Sequence, residues 1–304
     1  MKTEIWFKSN GIDCNAWLYK PESANNTKVP IVIMAHGFGG LKKYSIAPYA
    51  LQFVESGYGV LMFDYRHWGD SKGMPRNYHN FQKQLEDWHA AISYVKTLPF
   101  VDTNKIVLWG TSFAGGLVID VAAHDQTVAA TISQCPMLDG RMSSVQFIKN
   151  AGVLAAMRSG LHGVYDNIKS VFGGVHYVNS IGKPGTVAAM STEDGYAYLK
   201  KTEKLYPEKV NDECYNLVTA RTLLTVSKFR PILSAKNVKC PALLLICEKD
   251  TVAPTQAVED AIKLMPNPIP VRYPIGHFEP YFDDGFKMSI KDQLAFLKKY
   301  VPIS

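Results

Sequence analysis

The sequence predicts an α/β chain in which a mostly parallel central sheet is flanked by helices on both faces and interrupted once by a helical insertion. Three observations predict it. Short apolar runs alternate with amphipathic stretches from about residue 29 to residue 134, the pattern of strand–helix–strand crossovers. This alternation stops after Cys135-Pro136 and resumes only after Arg230-Pro231. Within the first alternating stretch, the apolar run at 105–109 strikes the turn Gly110-Thr111-Ser112-Phe113-Ala114 and then becomes helical. A serine on such a sharp strand-to-helix turn needs small residues two positions away on either side, as Gly110 and Ala114 are.

Taken in order, 5–7 and 14–19 around Asn10-Gly11 read as a leading β-hairpin. Strands follow near 31–35, 59–63, 105–109 and 128–134, with helices near 46–56, 80–97 and 113–124. Residues 136–230 read as a cap over the sheet's ligand-facing end, with helical stretches at 143–159, 192–205 and 211–229. Its apolar positions include Phe147, Val153, Leu154, Met157, Leu161 and Phe172. A minority of these are expected to line an acyl pocket and most to pack the cap onto itself or the core. The core, 1–135 and 231–304, is completed by a buried-strand run at 241–247 and one more strand at 271–274.

The two late strands carry the partners a serine needs. Asp250 opens the loop after the first, and His277 lies on the turn after the second. The chain order Ser112, Asp250, His277 is that of the α/β-hydrolase triad, in which histidine takes the serine proton and the acid orients the imidazole. Glu248 and Asp139 are the alternative acids, Glu248 being set closer to its strand. Upstream, an apolar run ends in His36-Gly37-Phe38-Gly39-Gly40, a glycine-rich loop. The backbone N–H groups of Phe38 and Phe113 are assigned to an oxyanion hole, each such donor contributing about 3–4 kcal/mol to the transition state.

Together these segments resemble the α/β-hydrolase superfamily over nearly the whole chain. The runs Phe63-Asp64-Tyr65-Arg66-His67-Trp68-Gly69-Asp70-Ser71, Leu108-Trp109-Gly110-Thr111-Ser112-Phe113 and Gly276-His277-Phe278 are similar to a branch of polyketide transferases, thiohydrolases and dienelactone hydrolase-like enzymes. The resemblance implies a sheet of about eight strands and a cofactor-free enzyme acting on a small-molecule ester or thioester. It implies hydrolysis, or acyl transfer by the same residues. A peptidase ranks lower because nothing marks an anchor for a substrate amino group. A non-catalytic binding protein on the same scaffold is disfavoured by the intact Ser112, Asp250 and His277.

Composition fits an ordinary globular protein, with 47% apolar and 20% charged residues in 304. The net charge of +6 leaves room for an anionic, carrier- or coenzyme A-linked substrate. The lysines are nevertheless spread along the chain, and no nucleic-acid motif accompanies them. Five scattered cysteines lack metal-ligand spacing, as do His79, His89, His124, His162 and His176. No run is long enough to span a bilayer, and the amino terminus lacks a signal-peptide pattern, so a cytoplasmic protein without membrane or nucleic-acid partners is expected.

Overall fold

A computed structural model describes residues 1–25 and 27–303, so residues 26 and 304 of the predicted core segments lie outside the described residues. The leading hairpin forms as β1 (Lys2–Ser9) and β2 (Ile12–Tyr19). Then come β3 (Val29–Ala35), α1 (Ala47–Glu55), β4 (Gly59–Phe63), α2 (Phe81–Val95), β5 (Val101–Thr111), α3 (Phe113–His124) and β6 (Val128–Gln134). The insertion contributes α4 (Gly140–Ala151), α5 (Val153–Val171), β7 (Tyr177–Ile181), β8 (Ala188–Met190), α6 (Glu193–Leu205) and β9 (Leu217–Thr219). The core closes with β10 (Ala242–Cys247), α7 (Thr255–Leu264), β11 (Pro268–Tyr273) and α8 (Asp283–Tyr300).

Eight strands form the main sheet in the order β1-β2-β4-β3-β5-β6-β10-β11. Both contacts of β2 are antiparallel, and every other contact in the sheet is parallel. Side-chain alternation along the strands divides the core between the two faces. Ile31, Ile33, Leu61, Phe63, Ile106 and Leu108 pack with Trp88 and Ile92 of α2 and Leu117 and Val118 of α3. Their neighbours Val32, Met34, Val60, Met62, Val107 and Trp109 pack with Tyr49 and Phe53 of α1 and Phe296 and Leu297 of α8. Because both faces are covered, the central strands are apolar throughout, which is why they read as continuous runs.

The insertion departs from a purely helical reading in two places. The stretch 143–159 is not one helix, since Gly152, at φ 84°, ends α4 and opens α5 in a new direction. The stretch 211–229 holds no α-helix. It holds β9 and short 3₁₀ turns, and β9 pairs with β7 in a three-stranded sheet completed by β8. Val218, Thr219, Thr222, Thr225 and Val226 crowd this stretch with β-branched side chains that disfavour helix.

Candidate active site

Ser112 occupies the turn between β5 and α3 with φ 56° and ψ −118°, a conformation that costs energy for any residue but glycine. It is held there from both sides: its N–H donates to the Gln134 carbonyl at 2.8 Å, and its carbonyl accepts from the Met137 N–H at 3.0 Å. A Cβ on Gly110 would collide with the Ala114 carbonyl group, so the elbow requires glycine there.

His277 lies on the loop after β11, with Nε2 3.0 Å from Ser112 Oγ and Nδ1 2.5 Å from Asp250 Oδ2. The other oxygen of Asp250 accepts from the N–H groups of Val252 and Ala253 at 2.8 and 2.7 Å, which fixes the carboxylate. Burial is the largest influence and works against the charged imidazolium, but Asp250, Cys135 and Asp194 together overcome it and raise His277 to about 9. The alternative acids are engaged elsewhere: Asp139 caps α4 and pairs with Arg230, while Glu248 is exposed.

Phe38 stands on the loop after β3 beside Ser112, its ring centroid 6.2 Å from that of Phe113. Lys42 anchors this loop. Its wholly buried ammonium lies 2.7 Å from Asp64 Oδ2 and 2.6 Å from Asp70 Oδ2, and its backbone N–H donates to Asp64 Oδ1 at 2.7 Å. Arg66 plays a comparable structural part, with Nε 2.6 Å from Asp87 Oδ1. A lone lysine in a loop gives no signal in the sequence, and Lys42 was not anticipated.

Two cavities of similar size, about 270 and 240 Å³, meet at Ser112 and Phe38. The first is mixed in character, with Arg76, Asn77, Lys209 and Asn216 beside Leu41, Ile181 and Trp68. Burial lowers the Lys209 ammonium to about 8, partly opposed by Glu203 and Glu208. The second is apolar, lined by Met137, Phe147, Ile148, Met190, Leu223 and Val226. Phe147 is thus the one anticipated pocket residue found there. Val153, Leu154, Met157, Leu161 and Phe172 instead face outward, at 62–85% exposed, and do not pack the insertion onto itself or the core. The reason is that the opposite side of α5, with Ala155, Ser159, Gly163 and Asp166, is the buried one.

Among the described residues no helix is long and apolar enough to cross a membrane, and no group of three or more His, Cys, Asp or Glu side chains is placed to hold a metal ion. All five cysteines are free, with Cys135 and Cys247 buried as expected.

A family profile described as "Serine aminopeptidase, S33" matches residues 26–269. The chain belongs to this family of α/β-hydrolases. Within it, the chain is similar to the quorum-quenching protein AidA of Acinetobacter baumannii, at 38% identity over 99% of this chain and 95% of the relative. It is also similar to the thiohydrolase aneE of Aspergillus aculeatus, at 30% identity over 80% of this chain and 76% of the relative. The solved α/β hydrolase GrgF from Penicillium sp. shares its fold, with a TM-score of 0.79 at 23% identity and 99% coverage of both chains. A polyketide transferase named grgF from Penicillium sp. is 35% identical over 43% of each chain. The resemblance to thiohydrolases and polyketide transferases read from the motifs is borne out, and this hydrolase has the eight-stranded sheet it implied.

Proposed function

We propose that this hydrolase cleaves a carboxylic ester or thioester through an acyl-enzyme on Ser112, assisted by His277 and Asp250. The observation that carries the reading is the unbroken chain from Ser112 Oγ to His277 Nε2 at 3.0 Å and from Nδ1 to Asp250 at 2.5 Å. Ser112 Oγ attacks the acyl carbon as its proton passes to His277 Nε2, and the carbonyl oxygen becomes an oxyanion. Phe38 N–H and Phe113 N–H donate to that oxygen, aided by the amino end of α3. Collapse breaks the bond to the alcohol or thiol, which leaves with the proton from His277. Water then attacks the acyl carbon, giving its proton to His277 and releasing the acid and Ser112.

The apolar cavity suits the acyl portion and the mixed one, which holds two cations, the leaving group. Arg76 and Lys209 there favour an anionic leaving group, such as a carrier- or coenzyme A-linked thiol. Asp212 is the single carboxylate there, set against the cations Arg76 and Lys209, a balance that weighs against recognition of a free amine and hence against a peptidase. The insertion at 136–230 acts as a cap, supplying most of the apolar wall. The free cysteines fit a reducing compartment such as the cytoplasm.

Acyl transfer uses the same residues with an alcohol or amine in place of water, and the relative named polyketide transferase favours that second reading. The test is a burst assay with p-nitrophenyl acyl esters of increasing chain length, following the acyl adduct by intact mass. A burst and an adduct that both vanish in Ser112→Ala are expected. Equal activity of the variant and the wild type would overturn the assignment, and partition of the acyl group to an added nucleophile separates transfer from hydrolysis.

A further inference from the structure

Helix α5 has two dissimilar faces. The inner one is anchored: Gly163 abuts Leu224, and Asp166 accepts from Arg221 Nε at 2.7 Å and from Nη2 at 3.0 Å. The helix is thereby fixed with its apolar side outward. On that side Leu154, Met157, Leu161, Val164, Ile168 and Val171 recur at spacings of 3, 4, 3, 4 and 3 and stand 46–79% exposed. Val153, Tyr165 and Phe172 widen the stripe at 55–85% exposed. An apolar seam with this heptad spacing is what one helix offers another in knobs-into-holes packing.

We propose that this seam is a homodimer interface in which α5 of two copies pack antiparallel about a two-fold axis. The 3-4-3-4-3 spacing reads the same from either end, so an antiparallel second copy aligns every position. Leu154 then meets Val171 of the second copy, Met157 meets Ile168, and Leu161 meets Val164. In the same register Tyr165 and Arg158 lie on one flank of the seam and Gly160, beside which there is open space, and Asn167 on the other. Arg158 then falls beside Tyr165 of the second copy and Lys169 lies off the seam, so like charges do not meet. Such self-complementarity is what a two-fold interface demands.

The area agrees. The nine apolar side chains present on the order of 1,000 Å² per copy, against about 800 Å² from each partner in a stable interface. It also exceeds the roughly 300–600 Å² of the largest apolar patch on an ordinary monomer. A lipid surface is the less apt occupant, because a helix lying on a membrane carries many cations along its polar flanks and the exposed side of α5 carries only Arg158 and Lys169.

Sedimentation velocity of the purified full chain over a concentration series tests the proposal. A species of twice 33.9 kDa is expected. Leu161→Glu, Met157→Glu and Ile168→Lys should each give a monomer with an unchanged circular dichroism spectrum, since these positions are exposed. Combining Met157→Glu with Ile168→Lys should restore the dimer, because the two positions face each other only across the antiparallel pair. A wild-type monomer throughout would overturn the proposal, and its co-sedimentation with phosphatidylcholine–phosphatidylglycerol vesicles would give the face to lipid instead. A dimer unmoved by Leu161→Glu, or a double variant that stays monomeric, would overturn it too.

Discussion

Asp194, in the first turn of α6, is bound to Thr251 of the core, with both carboxylate oxygens 2.8 Å from Thr251 Oγ1. Thr251 directly follows Asp250, and its carbonyl also accepts from Asn150 Nδ2 at 2.7 Å. The insertion is thus tied to the loop that orients His277. Thr251→Val should keep the fold, lower stability in urea unfolding by about 1.5–3 kcal/mol for a lost bond to a charged group, and reduce kcat more than KM. Thr251→Ser, which keeps the hydroxyl, should restore both. A valine variant equal to wild type in stability and kcat would mean that the bond does not position the loop.

The electrostatics of His277 set an expected pH profile. In the proposed mechanism only the neutral imidazole takes the Ser112 proton, so kcat/KM should rise with pH through the His277 pKa, which Asp250 helps to hold above the ordinary value of 6.5. Asp250→Asn removes that support. The acid limb should then move to lower pH while the plateau falls about 10⁴-fold. An acid limb at the same pH in both proteins would show that Asp250 does not govern His277.

What was legible in the sequence follows from the range of the contacts involved. Ser112 and Asp250 each sit just beyond a continuous apolar strand and His277 on the turn after the last strand, so local pattern marks them although they lie far apart in the chain. Lys42, Asp194 and Thr251 have no such mark, because what defines them is a partner 22 to 57 residues away. The strands β7, β8 and β9 have five, three and three residues, too short for a period to register. Of the stripe on α5 only Leu154, Met157 and Leu161 were singled out, as pocket or packing positions, because apolar spacing gives a face and not its direction. The small residues Ala155, Ser159 and Gly163 on the other side decide that direction by allowing close packing.

Gly37 sets the distance between the glycine-rich loop after β3 and Ser112, the proposed nucleophile. A Cβ there would stand 2.8 Å from the Thr111 carbonyl oxygen and 3.0 Å from Ser112 Cβ, and neither the strand nor the elbow has room to yield. Gly37→Ala should therefore push Phe38 away from the reacting centre and lower kcat about 10²–10³-fold, the loss that follows removal of one oxyanion donor. The overpacking should cost about 1–3 kcal/mol of stability. Steady-state kinetics beside a thermal melt separate the two effects. Full activity in the alanine variant would detach the loop from the chemistry.

The buried ion cluster behind that loop yields the sharpest stability contrast. Lys42 is wholly buried and Asp64 nearly so, whereas the Asp70 side chain is 46% exposed. Lys42→Met leaves the Asp64 carboxylate buried without its cation and should cost about 3–5 kcal/mol. Removing the exposed charge by Asp70→Asn should cost only about 0–1 kcal/mol, since water and salt screen it. Adding Asp64→Asn to Lys42→Met should recover part of the loss, because the uncompensated charge goes with it. Urea unfolding of the three variants measures each term, and a double variant no more stable than Lys42→Met alone would show that the lysine acts through packing and not through charge.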